Sequence, residues 1–127
     1  MNTQYTAVVT ALKIYLDGLH HSDTKLLADV FHPGARYICA TDDPLLQLNM
    51  AEYFPIVDNR PAPHSLGESR EAERIVSIEF GGPNMAFARV ECAIGPKHFT
   101  DFLTLVFVNE KWQIISKVFH YDLRSNS

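Results

Sequence analysis

The feature that most constrains this fold is a pair of β-branched and aromatic runs near the C-terminus, joined by two polar residues. The first runs from His98 to Val108 and the second from Lys111 to His120, with Asn109 and Glu110 between them. Two such runs around a two-residue polar break predict a β-hairpin. The turn also sets a register, in which Val108 faces Lys111 and Phe107 faces Trp112. Side chains alternate along a strand. A regular ladder therefore places Asp101, Leu103, Leu105 and Phe107 with Trp112, Ile114, Ser116 and Val118 on one face. Phe102, Thr104 and Val106 share the other face with Gln113, Ile115, Lys117 and Phe119. The first face is apolar except at its Asp101 and Ser116 end, and reads as a core with an acid at its open end. The second is mixed, and reads as a surface that is wet or meets another subunit.

With 127 residues, 46% of them hydrophobic and 20% charged, the chain is expected to form one domain (1–127) with a sizeable core. A net charge of −4 and the lack of any Lys/Arg cluster argue against nucleic-acid binding. No apolar run approaches the roughly 18 residues that cross a bilayer, so no membrane span is expected. The N-terminus lacks a basic stretch followed by an apolar one, so a cytoplasmic location is expected. Cys39 and Cys92 each sit inside an apolar run and read as buried thiols.

Tyr5, Val8, Val9, Leu12, Leu16 and Leu19 recur at helical spacing and predict a helix over 3–20, with Tyr15 bordering the stripe. Ser22 or Asp23 caps a second helix that buries Leu26, Leu27, Val30 and Phe31 and stops at His32-Pro33-Gly34. Residues 35–40 and 45–48 read as strands. Asn49 and Glu52 have capping-box spacing for a short helix, which Pro55 should kink or end. Residues 58–70 read as a loop placed to cover whatever the sheet encloses. A hairpin over 72–80 and 85–93 precedes the final one, and the tail 124–127 is polar. Helices first and antiparallel strands after them make an α+β domain, a curved sheet wrapped around helices to leave a cone-shaped cavity.

This order resembles the nuclear transport factor 2-like, or cystatin-like, cone: two to three helices on a strongly curved, mostly antiparallel sheet. More narrowly, the chain resembles the bacterial group named putative lumazine-binding proteins. The resemblance rests on Tyr15-Leu16-Asp17-Gly18-Leu19, Asp23 with Leu26 and Leu27, Phe31-His32-Pro33-Gly34-Ala35 and Arg74-Ile75-Val76-Ser77-Ile78. It continues through Ala86-Phe87-Ala88-Arg89-Val90, Thr100-Asp101-Phe102-Leu103-Thr104-Leu105 and Trp112-Gln113-Ile114-Ile115-Ser116-Lys117, and spans about residues 5–122. It implies a fold, and a homodimer paired through the sheet, here by Thr104, Gln113, Ile115 and Lys117. The superfamily includes isomerases, dehydratases, polyketide cyclases and non-catalytic binding modules, so the resemblance names no reaction.

Among residues that carry chemistry, Asp101 comes first. A carboxylate walled by apolar side chains suits general acid or base work. Tyr15 and Tyr37 are candidate hydroxyl donors beside it. The expected ligand pocket comprises Tyr15, Tyr37, Tyr53, Phe54, Asp101, Leu103, Trp112 and Ser116. A His98–Asp101 couple at the cavity mouth is a further option. The six histidines lack metal-ligand spacing, and no phosphate loop, dinucleotide fingerprint or nucleophile elbow occurs, so neither metal nor cofactor is expected. The leading expectation is a small-molecule-binding protein with a mostly apolar cavity. The alternatives are a cofactor-independent isomerase, dehydratase or cyclase using Asp101, and a non-catalytic dimerisation module.

Overall fold

The computed structural model describes residues 3–124, so the end of the polar tail, 125–127, lies outside the described residues. Helix α1 (Thr3–His21) lays Val8, Leu12, Tyr15, Leu16 and Leu19 on the core, as its periodicity requires. Asp23 caps α2 (Thr24–Val30), its carboxylate accepting from the amides of Lys25 and Leu26. Gly18 allows the close approach of the two helices, because a Cβ there would stand 2.6 Å from Cδ2 of the buried Leu27.

Six strands follow, β1 (Phe31–Cys39), β2 (Leu46–Asn49), β3 (Arg74–Phe80), β4 (Met85–Ile94), β5 (Lys97–Val108) and β6 (Lys111–Leu123). Between β2 and β3 lie α3 (Met50–Asp58) and a single 3-10 turn, His64–Leu66. The strands form one sheet in the order β2-β1-β6-β5-β4-β3, antiparallel throughout except for the parallel β1–β6 pair. The helices cover one face, and the core lies between them and Ala86, Ala88, Val90, Leu103, Leu105 and Ile114. This is the α+β cone expected from the order of elements.

Three local expectations are corrected. His32-Pro33-Gly34 does not end a helix but lies inside β1. The β1–β6 pairing skips from Phe31–Ile114 to Arg36–Ser116, and this gap in the ladder spares Pro33 from donating to it. The Asn49–Glu52 capping box is present, yet Pro55 does not end α3, which runs on to Asp58. The amide Pro55 lacks would have reached only the carbonyl of residue 51, at the very start of the helix.

The third correction decides the site. Asn109 (φ 54°) and Glu110 (φ 63°) form the two-residue turn, and both left-handed residues match the turn type whose twist suits a hairpin. Phe107 pairs with Trp112 and Leu105 with Ile114, as the regular register requires. Thr104 then pairs with Ser116, leaving Ile115 as a β-bulge. One extra residue reverses the facing of everything beyond it. Ser116 and Val118 therefore turn to the outer face, while Lys117 and Phe119 turn inward and are buried.

Candidate functional site

The reversal places an ammonium inside the cone. Lys117 is only 4% exposed, and its Nζ lies 5.0 Å from the ring centroid of Phe119, 5.1 Å from Tyr15, 5.3 Å from Tyr37 and 5.8 Å from Tyr53. A cation over aromatic faces is attracted by their negative quadrupoles. Tyr37 and Tyr53 stack with centroids 4.3 Å apart and planes 24° apart, an arrangement set by β1, which carries Tyr37, and α3, which carries Tyr53.

Asp101, on β5, is fully buried on the same sheet face. The hydroxyl of Tyr15, on α1, donates to its Oδ2 at 2.5 Å. A short O–H···O⁻ bond of this kind is charge-assisted and strong. The other oxygen, Oδ1, is buried without a hydrogen-bond partner. The two titratable groups shape one another. Burial pulls the Lys117 pKa down, but neighbouring groups led by Asp101 outweigh it and hold the ammonium above the ordinary lysine value. Burial, then Asp101, pushes the Tyr15 hydroxyl well up. Burial also raises Tyr37 to about 12, and burial with Asp101 raises the Cys92 thiol to about 12. At neutral pH the cluster thus holds protonated Lys117 and neutral phenols.

Two spaces that share lining residues meet this cluster. An inner cavity of about 20 Å³, room for one water, is lined by Leu19, Tyr37, Tyr53, Cys92, Phe99 and Lys117, with Arg60 and Ile94 at its edge. Tyr37, Arg60, Ile94 and Phe99 also line an open basin of about 440 Å³ at the mouth of the cone. The far wall of the basin comes from Pro61, Leu66 and Glu68, so the 58–70 segment does flank the enclosed space. Its 3-10 turn is fixed by His64, whose ring packs 5.5 Å from His20 and 4.5 Å from His21. A second groove, of about 330 Å³, includes Arg74, Arg89 and Glu91 in its lining, but there the charges pair with one another.

Of the residues expected in a pocket, Tyr37 and Tyr53 line the inner cavity, while Tyr15 and Asp101 stand behind its wall. Leu103 is plain core, and Phe54 packs against the core rim. Trp112 lies away from the basin, where its indole N–H donates to Gln4 Oε1. Ser116 is outside the cone because of the bulge. Asp101 is tied to Tyr15 rather than to His98, which sits three residues away on β5, opposite Asp122 in the strand ladder. The hairpin pattern missed Lys117 and Arg60. A lysine between Ser116 and Val118 gives no warning that a bulge turns it inward.

The family model described as Putative lumazine-binding matches residues 3–120. The chain belongs to this family. The chain shares the nuclear transport factor 2-like cone with solved structures of that type. One from Shewanella baltica, of unknown function, is 26% identical, with a TM-score of 0.79 over 94% of each chain. Another from Silicibacter pomeroyi, also of unknown function, is 23% identical, with a TM-score of 0.81 over 96% of this chain and 100% of that one. Among curated proteins, Aldolase FrzH from a Cladobotryum species is 25% identical over 121 residues, covering 94% of this chain and 92% of that protein. What this member displays is a buried lysine, a tyrosine-bound carboxylate and a basin above them.

Because Cys92, Tyr37, Tyr15 and Lys117 all have folded pKa values above their unfolded ones, the folded state holds protons that the unfolded chain releases in base. Stability conferred by these groups is complete below the unfolded values and is lost as pH rises through the folded ones. Thermal unfolding should therefore show a flat midpoint up to about pH 9 and a steep fall from there toward pH 12. A midpoint unchanged to pH 11 would contradict the burial assigned to this cluster.

Proposed function

We propose that the protein is a cofactor-independent enzyme acting on a small carbonyl compound through an enolate, by proton transfer next to the carbonyl and aldol-type chemistry. The observation that carries this reading is Lys117, a protonated ammonium held in an aromatic cage beside the small inner cavity that adjoins an apolar basin. A fixed cation in a dry site stabilises the negative oxygen of an enolate far better than water does. The phenols of Tyr37 and Tyr53 are the donors that share the oxyanion. Asp101, the one buried carboxylate among the described residues, is the candidate base; standing behind the cavity wall with Oδ1 unpartnered and Tyr15 on its other oxygen, it acts through the single water for which the inner cavity has room. The relation to a protein named an aldolase favours carbonyl chemistry over a purely binding role.

A lysine that forms an imine must first lose its proton, and such lysines have lowered pKa values. Lys117 is shifted the opposite way. Borohydride added with cyclohexanone or levulinate should therefore leave the Lys117 peptide unmodified in mass spectra, while deuterium from solvent enters the carbons next to the ketone faster than in heat-inactivated controls. A reduced imine on Lys117 would convert the reading to covalent catalysis. Absence of enzyme-dependent exchange with both ketones would leave the binding-protein reading in its place.

A second copy of the chain is proposed to cover the outer sheet face. Thr104, Gln113 and Ile115 remain candidates there, but Lys117 is removed from the list because it points inward. Phe87 and Phe102 meet on that face with ring centroids 5.5 Å apart and are 40% and 45% exposed, and Val76 and Met85 are exposed as well. Apolar side chains grouped in this way mark an association surface. Light scattering should show a dimer that Phe102→Glu converts to monomer; an unchanged mass would place the contact elsewhere.

A further inference from the structure

Arg60 follows α3 at the boundary between the basin and the inner cavity, lining both. Its Nε and Nη2 atoms are buried, and neither has a hydrogen-bond partner. Buried guanidinium donors left unpaired are costly. These two atoms also share one edge of the planar group, the edge whose parallel N–H bonds fit the two oxygens of a carboxylate. The chain shows that grip elsewhere: the same edge of Arg70 holds Glu73, with Nε–Oε2 at 2.8 Å and Nη2–Oε1 at 2.9 Å.

We infer that Arg60 is a carboxylate clamp, and that the molecule bound in the basin is an apolar compound bearing one carboxylate. This rests on the reading of the basin as the substrate site. The two acids that line the basin make no ion pair with Arg60, and each accepts a hydrogen bond from another group. Asp42 Oδ1 accepts from the Tyr121 hydroxyl at 3.1 Å, and Glu68 Oε1 accepts from the Gly95 amide at 2.8 Å. The remaining walls, among them Ile56, Leu66, Ile94, Phe99 and Phe119, suit a hydrocarbon or aromatic body. A planar monoanion matches this site better than a phosphate, whose second charge would face Asp42 and Glu68 with a single guanidinium edge to hold it. The clamp fixes the carboxylate end of the substrate at the mouth of the inner cavity, beyond which Lys117 lies. Proximity and orientation of this kind are what a small active site supplies.

The test uses benzoate, its neutral isostere benzamide, and phenyl phosphate, each titrated into the nitrogen-15-labelled full chain and followed by amide shifts. Benzoate should bind at least about tenfold more tightly than benzamide, the size expected of charge-assisted bonds. Arg60→Gln should erase that preference. Arg60→Lys, which keeps the charge but not the fork, should retain only part of it, and Lys117→Met should keep it. Equal binding of benzoate and benzamide, no benzoate shifts at millimolar concentration, or a preference for phenyl phosphate would each overturn the proposal. So would a preference surviving in Arg60→Gln or lost only in Lys117→Met. The readout needs no turnover. Loss of the preference with ketone exchange intact removes the clamp alone, and loss of exchange with the preference intact removes the enolate reading alone.

Discussion

Asp101→Ala is expected to destabilise the fold by about 3 kcal/mol, the upper range for leaving a buried polar group without its partner. The change takes away the carboxylate that leads the neighbours favouring the Lys117 cation, and leaves the fully buried Tyr15 hydroxyl without its acceptor. Urea unfolding would register this as a lower midpoint with little change in slope. The double variant Asp101→Leu with Lys117→Met should recover much of the loss, since apolar replacement of both partners removes the desolvation cost together with the attraction. A loss below about 1 kcal/mol for Asp101→Ala would place it among ordinary neutral hydrogen bonds and remove the electrostatic coupling from the account.

The second large effect is on chemistry. Lys117→Met conserves the side chain's length and removes its charge. Ketone deuterium exchange should fall by about 10²–10³, the range seen when one oxyanion-stabilising group is lost. Lys117→Arg should fall between, because a planar guanidinium keeps the charge but not the compact ammonium that fits the cage. Exchange kinetics by proton NMR, with the folded fraction of each variant checked by circular dichroism, would measure this. Exchange rates in Lys117→Met equal to wild type would shift the role of oxyanion partner to the tyrosines alone.

The sequence made the architecture plain wherever local chemistry agreed with tertiary packing. The α1 stripe, the Asp23 cap, the Asn49–Glu52 capping box and the Asn109-Glu110 turn are each decided by a few neighbouring residues, and each is present. Asp101 and Tyr15 were legible for the same reason: each sits on an apolar face whose phase is unbroken up to that point. Lys117 was not, because its inward direction depends on Ile115, one more apolar residue in an apolar run. Nothing local distinguishes a bulge there from regular pairing. The β1 boundary failed similarly. Pro33 and Gly34 oppose strand structure, and only the gap in pairing with β6 accommodates them. Arg60 was hidden in a loop, where no periodicity exists to assign a direction to a side chain.

The bulge at Ile115 bears on how relatives are compared. Trp112 and Ile114, before it, are buried with the core, whereas Lys117 and Phe119, after it, face the cage and the basin. The two halves of β6 therefore count their inward positions in opposite parity. An alignment that moves a one-residue gap across Ile115 equates the lysine of one homologue with the neighbouring, outward residue of another. Homologues sorted by such an alignment would be divided into those with and without a cavity cation by the placement of the gap, whatever their chemistry. Matching positions by the facing of each side chain, half-strand by half-strand, restores the correct correspondence.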